Sequence, residues 1–241
     1  MPAATALPDE IAKFDALAAR WWDPDGPMAP LHRMNPLRCR WIATRLAAAH
    51  GRSGTDLEGL SILDVGCGAG LASESLARFG ARVTGLDAAG TALAAARAHA
   101  EAGGLSIDYR EGRPEDLAAG GAQFDAVVAL EVIEHVADRP AFLGALATVL
   151  KPGGMLFLST LNRTPRAFLF AKLGAEYLLR LLPRGTHDWR MFVTPAELGT
   201  EARRAGLRVC DIAGMVPVAG GKDWRESRDV AVNYIVAARK D

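Results

Sequence analysis

From Ser61 onward the chain alternates short apolar runs with amphipathic stretches of helical period, and no other feature narrows its fold so far. Residues 62–65 precede 71–79, 82–86 precede 91–102, and 124–130 precede 140–150. Further apolar runs lie at 106–110, followed by a loop, and at 155–160. Strands that alternate with helices return in the same direction through right-handed crossovers, which predicts an open, doubly wound α/β sheet with helices on both faces. The end of the chain breaks the pattern. A helix over 195–205 leads into a strand at 207–213, a Gly-rich link and a last strand at 231–238. That order predicts a hairpin-like antiparallel edge.

Ahead of the sheet, residues 9–22 place Ile11, Phe14, Leu17 and Trp21 at helical spacing, and the turn sequence at 23–27 ends the run. After a Pro-rich link, Asn35 and Pro36 open a second helical stretch to about His50, with a loop at 51–59. Residues 1–59 are therefore expected as an N-terminal helical arm and 60–241 as the main domain, together one globular unit. A length of 241 residues, half of them hydrophobic, suits that size. Twenty-eight basic residues balance 28 acidic ones, so the overall charge does not call for nucleic acid. Cys39, Cys67 and Cys210 are odd in number and lack paired metal-ligand spacing, which points to a reducing, cytoplasmic setting. Residues 1–8 lack the basic and apolar runs of a signal peptide, and no stretch is long and apolar enough to span a bilayer.

The first chemical signal is the run Asp64–Val65–Gly66–Cys67–Gly68–Ala69–Gly70 between the first strand and its helix. Glycines there let the backbone turn sharply beside a ligand, while free amides at the helix start favour a polar or negative group. About 20 residues on, the second strand ends at Asp87, where a carboxylate can accept both hydroxyls of an adenosine ribose; a helix cap is the alternative use. The dinucleotide fingerprint is not met, because its third glycine would fall at Leu71, and no Lys–Ser/Thr follows to hold a triphosphate.

This run and Asp87 resemble the class I S-adenosylmethionine-dependent methyltransferases, over about residues 60–240. The resemblance implies a Rossmann-like sheet, with Asp64, Gly66, Gly68 and Asp87 binding the cofactor and Leu130 bordering it. Leu130–Glu131–Val132–Ile133–Glu134–His135–Val136 is close to that family's sequence at the floor of the site.

A narrower match lies outside the generic core. Arg20–Trp21–Trp22–Asp23, Asn35–Pro36–Leu37–Arg38, Ser159–Thr160–Leu161–Asn162–Arg163, Gly185–Thr186–His187–Asp188 and the 229–234 segment look like the ubiquinone biosynthesis O-methyltransferases. That resemblance implies O-methylation of polyprenylated catechols and phenols, with Arg38 reaching the cofactor and other enzymes of the same route as candidate partners. The paired tryptophans read equally as a hydrophobic lid or as a substrate contact.

If the segment after Leu130 is helical, Glu131, Glu134 and His135 share a face and can bind a divalent cation. The resemblance suggests magnesium, which would lower the proton affinity of chelated catechol oxygens. Many similar runs use no metal; His135, whose unperturbed pKa lies near neutrality, is then the candidate general base, with Glu131 beside it. Residues 163–190 form an expected helical insertion. Phe168, Phe170, Leu173, Tyr177, Leu178, Leu181 and Leu182 recur at approximately helical spacing, while Arg163, Arg166, Lys172, Arg180, Arg184 and Arg190 outnumber Glu176 and Asp188. This reads as peripheral attachment to anionic lipid at the inner membrane face, or as a lid over the site. Two alternatives stay open: another small aromatic or lipid acceptor, and an adenosine-ligand protein without catalysis.

Overall fold

The computed structural model describes residues 20–26, 28–169, 189–218 and 223–241. Among these residues, eight strands form one sheet in the order β3-β2-β1-β4-β5-β8-β6-β7. They are β1 (Ser61–Val65), β2 (Arg82–Asp87), β3 (Asp108–Glu111), β4 (Phe124–Leu130), β5 (Leu150–Leu161), β6 (Leu207–Pro217), β7 (Trp224–Ser227) and β8 (Asn233–Lys240). Strands β1 to β5 pair in parallel, while β8 is antiparallel to both β5 and β6, and β7 to β6. The helices are α1 (Ala29–Ala49), α2 (Leu71–Arg78), α3 (Gly90–Ala102), α4 (Pro114–Ala119), α5 (Arg139–Thr148), α6 (Pro165–Leu169) and α7 (Pro195–Arg204).

Strand periodicity splits the core into two layers. Leu63, Val65, Val127, Ala129, Leu156, Leu158, Tyr234 and Val236 face Phe142, Leu146 and Leu198 of α5 and α7. Their neighbours Ile62, Ala126, Val128, Met155, Phe157, Ile235 and Ala237 face Trp41, Ile42, Leu46 and Leu76 of α1 and α2. Each central strand buries successive side chains on opposite faces, so these strands read as continuous apolar runs rather than as alternating ones. The expected doubly wound sheet with an antiparallel edge is present.

Several local expectations are corrected. Helix α1 begins at Ala29, with Pro30 in its first turn, and Pro36 lies inside it. Pro36 withholds one backbone donor there. Burial of Trp41, Ile42 and Leu46, and bonds from Asn35 Nδ2 to Leu71 O and Ser75 Oγ, hold the helix against that loss. The expected loop after β3 contains α4, started by Pro114 and by Asp116 Oδ2, which accepts the Arg113 amide. The expected edge pair is a set of three strands, because Trp224–Ser227 pairs with the extended β6 and Trp224 rests on the α1 layer. The expected helix over 9–22 lies outside the described residues apart from Arg20–Trp22, which form a turn closed by Asp23 N donating to Arg20 O. Most of 163–190 also lies outside them; α6 and a short 3-10 turn, Trp189–Met191, stand at its two ends.

Candidate functional site at the carboxyl edge of the sheet

The glycine turn follows β1 at the carboxyl edge of the parallel strands. Gly66 and Gly68 have φ of 68° and 53°, and a Cβ on them would overlap Val132 and the Trp21 ring respectively. Glycine is thus required both for the turn and for the close approach of its neighbours. Asp87 ends β2 and braces the same turn: Oδ2 accepts the Gly68 amide at 2.7 Å and Oδ1 the Ala89 amide at 2.8 Å. A carboxylate can accept more donors than these two, which suits a ribose diol. Asp64, buried in β1, accepts Ser73 Oγ at 2.6 Å. Burial pushes its carboxyl up to about 7, against the Ser73 hydrogen bond, and nearby Asp87 adds to the rise.

Arg38 comes from α1 and is buried, with Nη1 3.5 Å from Glu131 Oε1 and Nε without a partner among the described residues. Glu131 follows Leu130 at the end of β4 and has φ of 56°, the left-handed region that a non-glycine residue rarely enters. Its Oε1 accepts Ser159 Oγ at 2.7 Å and Asn233 Nδ2 at 3.0 Å, and its amide donates to Ser159 O. These bonds offset a strain that typically costs about 1–3 kcal/mol. Glu134 is buried and accepts Thr160 Oγ1 at 2.8 Å; burial, then the neighbouring Glu131 carboxylate, hold its pKa well above the usual range. His135 lies half-buried at the end of the same 3-10 turn, Ile133–His135.

The expected metal face is corrected. The left-handed Glu131 interrupts the helical geometry that would have aligned Glu131, Glu134 and His135. Among the described residues, no group of three His, Cys, Asp or Glu side chains is arranged to hold a metal ion. Only the two carboxylates of that set come together. The basic count of the insertion is also reduced, since Arg163 pairs with Glu197 and Arg166 with Asp229.

Ser159, Thr160 and Asn233 carry the site without any role foreseen for them. Their sequence signal is polarity at the end of one apolar strand and the start of another. The paired tryptophans sit on the glycine turn: Trp21 covers Gly68, and Trp22 Nε1 donates to Ala69 O at 3.0 Å. Trp22 also stacks on His99, with ring centroids 3.4 Å apart, and His99 Nδ1 lies 2.6 Å from the buried Glu74.

A glycine turn braced by a strand-end acid, with a charged floor beyond it, defines a class I S-adenosylmethionine-dependent methyltransferase. A family model described as a methyltransferase domain matches residues 63–158. The fold is shared with a magnesium protoporphyrin IX methyltransferase from Synechocystis solved with bound SAH (TM-score 0.61, 23% identity, 87% of this chain and 83% of that one). An S-adenosylmethionine-dependent methyltransferase from Aquifex aeolicus is similarly related (TM-score 0.62, 16% identity, 93% and 98%). The chain belongs to the ubiquinone biosynthesis O-methyltransferase family. It is 52% identical over 233 residues to the member from Dinoroseobacter shibae, covering 95% of this chain and 94% of that protein. It is 50% identical over 235 residues to the member from Methylobacterium nodulans, covering 96% and 94%. The residues present fit S-adenosylmethionine at one point: the buried Arg38 Nε, without a partner among the described residues, calls for an acceptor such as the cofactor's carboxylate.

Proposed function

We propose that the protein methylates a ring hydroxyl of the polyprenylated catechol and phenol intermediates of ubiquinone biosynthesis. Its reactions are 3-demethylubiquinol to ubiquinol and 2-polyprenyl-6-hydroxyphenol to the methoxyphenol. The observation that carries this reading is that half-identity to the family extends over some 95% of the chain, well beyond the cofactor half. S-adenosylmethionine supplies an electrophilic methyl group on a sulfonium. Asp87 holds the ribose, Arg38 and Asp64 the amino-acid end, and Gly66, Gly68 and Leu130 line the path between. His135 takes the hydroxyl proton as the ring oxygen attacks the methyl carbon in line and the carbon–sulfur bond breaks. Glu131 orients the ring. The test is release of S-adenosylhomocysteine on addition of a short-tailed prenyl catechol or demethylated quinol; no release with any of them would remove the reading.

Asp64 makes cofactor binding pH-dependent. Its carboxyl is neutral below about 7 in the free protein, whereas the cofactor's ammonium group favours the carboxylate. Binding below that pH must expel a proton, so affinity falls by up to about tenfold per pH unit from pH 7 to 5. Titrating S-adenosylhomocysteine calorimetrically across that range checks this, and a flat profile would place the ammonium elsewhere.

Magnesium is proposed on a reduced version of the expected set, in which Glu134 would have to give up the proton that its burial favours before it could serve as a ligand. It is commonly held by one or two carboxylates, with water and substrate oxygens completing the octahedron, and Glu131 with Glu134 match that donor number. When bound, it would lower the proton affinity of both catechol oxygens. Exhaustive chelation is then expected to abolish turnover and magnesium to restore it; full activity in chelated enzyme, with metal absent by elemental analysis, would refute this part.

The segment 163–190 is proposed to bring the enzyme to a substrate whose tail stays in the bilayer, at the cytoplasmic face. Phe168, Leu169 and Trp189 are exposed large apolar residues at its two ends, and no helix among the described residues is long and apolar enough to cross a membrane. At about 1 kcal/mol per basic residue near anionic lipid, attachment would be reversible. The protein should float with anionic liposomes, less so in high salt and after joint replacement of Phe168, Leu169 and Trp189 by serine. Equal recovery with neutral and anionic vesicles would leave a lid as the segment's role.

A further inference from the structure

Asn233 is 5% exposed, yet only half of its amide is satisfied. Nδ2 donates to Glu131 Oε1 at 3.0 Å, while Oδ1 is buried without a hydrogen-bond partner among the described residues. The amide cannot simply be turned over, because Oδ1 would then oppose the carboxylate, acceptor against acceptor. Glu131 thus fixes which end of Asn233 is left unpaired. The residue opens β8, and since β8 runs antiparallel to β5, its first position lies at the carboxyl edge, paired with Leu161. Across the same Glu131 oxygen stands Arg38, whose Nε is a second buried orphan. One unsatisfied donor and one unsatisfied acceptor therefore flank a single carboxylate. Buried polar atoms are nearly always paired, and here the missing partners are of opposite kinds. An anionic group suits Arg38 Nε, and a hydroxyl suits Asn233 Oδ1.

We propose that Asn233 Oδ1 accepts a hydrogen bond from the ring hydroxyl adjacent to the one being methylated, and that it selects rings with two neighbouring hydroxyls over rings with one. The proposal rests on the acceptor class given under the proposed function. A ring lacking the second hydroxyl would leave the buried carbonyl oxygen unpaired, which is how a site built for a hydroxyl rejects an analogue without it. Asn233 is a positioning residue in this account, and His135 keeps the proton transfer.

The test compares two ligands in calorimetric titration of the S-adenosylhomocysteine complex: a short-tailed prenyl catechol and the same ring with the second hydroxyl replaced by hydrogen. Wild type is expected to bind the catechol at least about tenfold more tightly. In Asn233→Ala, checked for folding by its melting shift with S-adenosylhomocysteine, the ratio should approach one, and the ratio of kcat/KM values should collapse with it. A purely structural role would weaken both ligands alike and leave the ratio unchanged, which would overturn the proposal. Equal affinities in wild type would overturn it without any variant. Binding of neither ligand by wild type would overturn the acceptor class itself, and the proposal with it, an outcome distinct from an unchanged ratio.

Discussion

His135→Ala is expected to lower kcat by about two to four orders of magnitude while leaving cofactor affinity nearly unchanged. General-base assistance contributes on the order of 10²–10⁴-fold, and His135 stands on the turn directly after Glu131, outside the glycine cradle. Methyl transfer needs little else in the way of covalent machinery, because the protein mainly aligns oxygen, carbon and sulfur. The pH profile distinguishes a base from a structural residue. In the variant, residual activity should climb with pH as solvent makes the phenolate that the proposed base no longer supplies. A kcat within a few-fold of wild type across that range would move deprotonation to Glu131.

The second large effect belongs to Asp87. Asp87→Ala would remove the two proposed ribose hydrogen bonds to a charged acceptor, each worth about 1.5–3 kcal/mol, and release the Gly68 and Ala89 amides that the carboxylate now holds. S-adenosylhomocysteine affinity should therefore fall by roughly 10²–10⁴-fold. Asp87→Asn, which keeps the shape but loses the charge, should fall between alanine and wild type. The cooperative melt should persist, because Asp87 ends its strand at the sheet's rim and leaves both core layers untouched. An unchanged dissociation constant would mean that the adenosine lies elsewhere.

The glycine turn and its strand-end acid are legible in the sequence because their signals are local. Glycines forced by positive φ and an acid at a strand end lie within one β-α-β unit, and the structure keeps Gly66, Gly68 and Asp87 together. The rest of the site depends on contacts that no local pattern records. Arg38, Ser159 and Asn233 converge on Glu131 across 93, 28 and 102 residues of chain respectively. Helical spacing misjudged Glu131, Glu134 and His135 because nothing in a glutamate's identity announces a left-handed backbone; the surrounding donors impose it. Proline favours first turns, which makes Pro36 read as a start, yet here Pro30 fills that place and the buried face of α1 carries the helix past the later proline. Strand β7 leaves no clear pattern in the sequence because a four-residue edge strand beside a Gly-rich link is defined by its partner β6 more than by its own residues.

The most direct test of the central claim is product analysis after incubation with S-adenosylmethionine carrying a deuterated methyl group and a short-tailed demethylubiquinol. The account predicts one deuterated methyl group per product, on the ring oxygen beside the retained hydroxyl, with stoichiometric S-adenosylhomocysteine. Cofactor bound with normal affinity but no label on any ring oxygen, across both quinol and catechol acceptors, would contradict it.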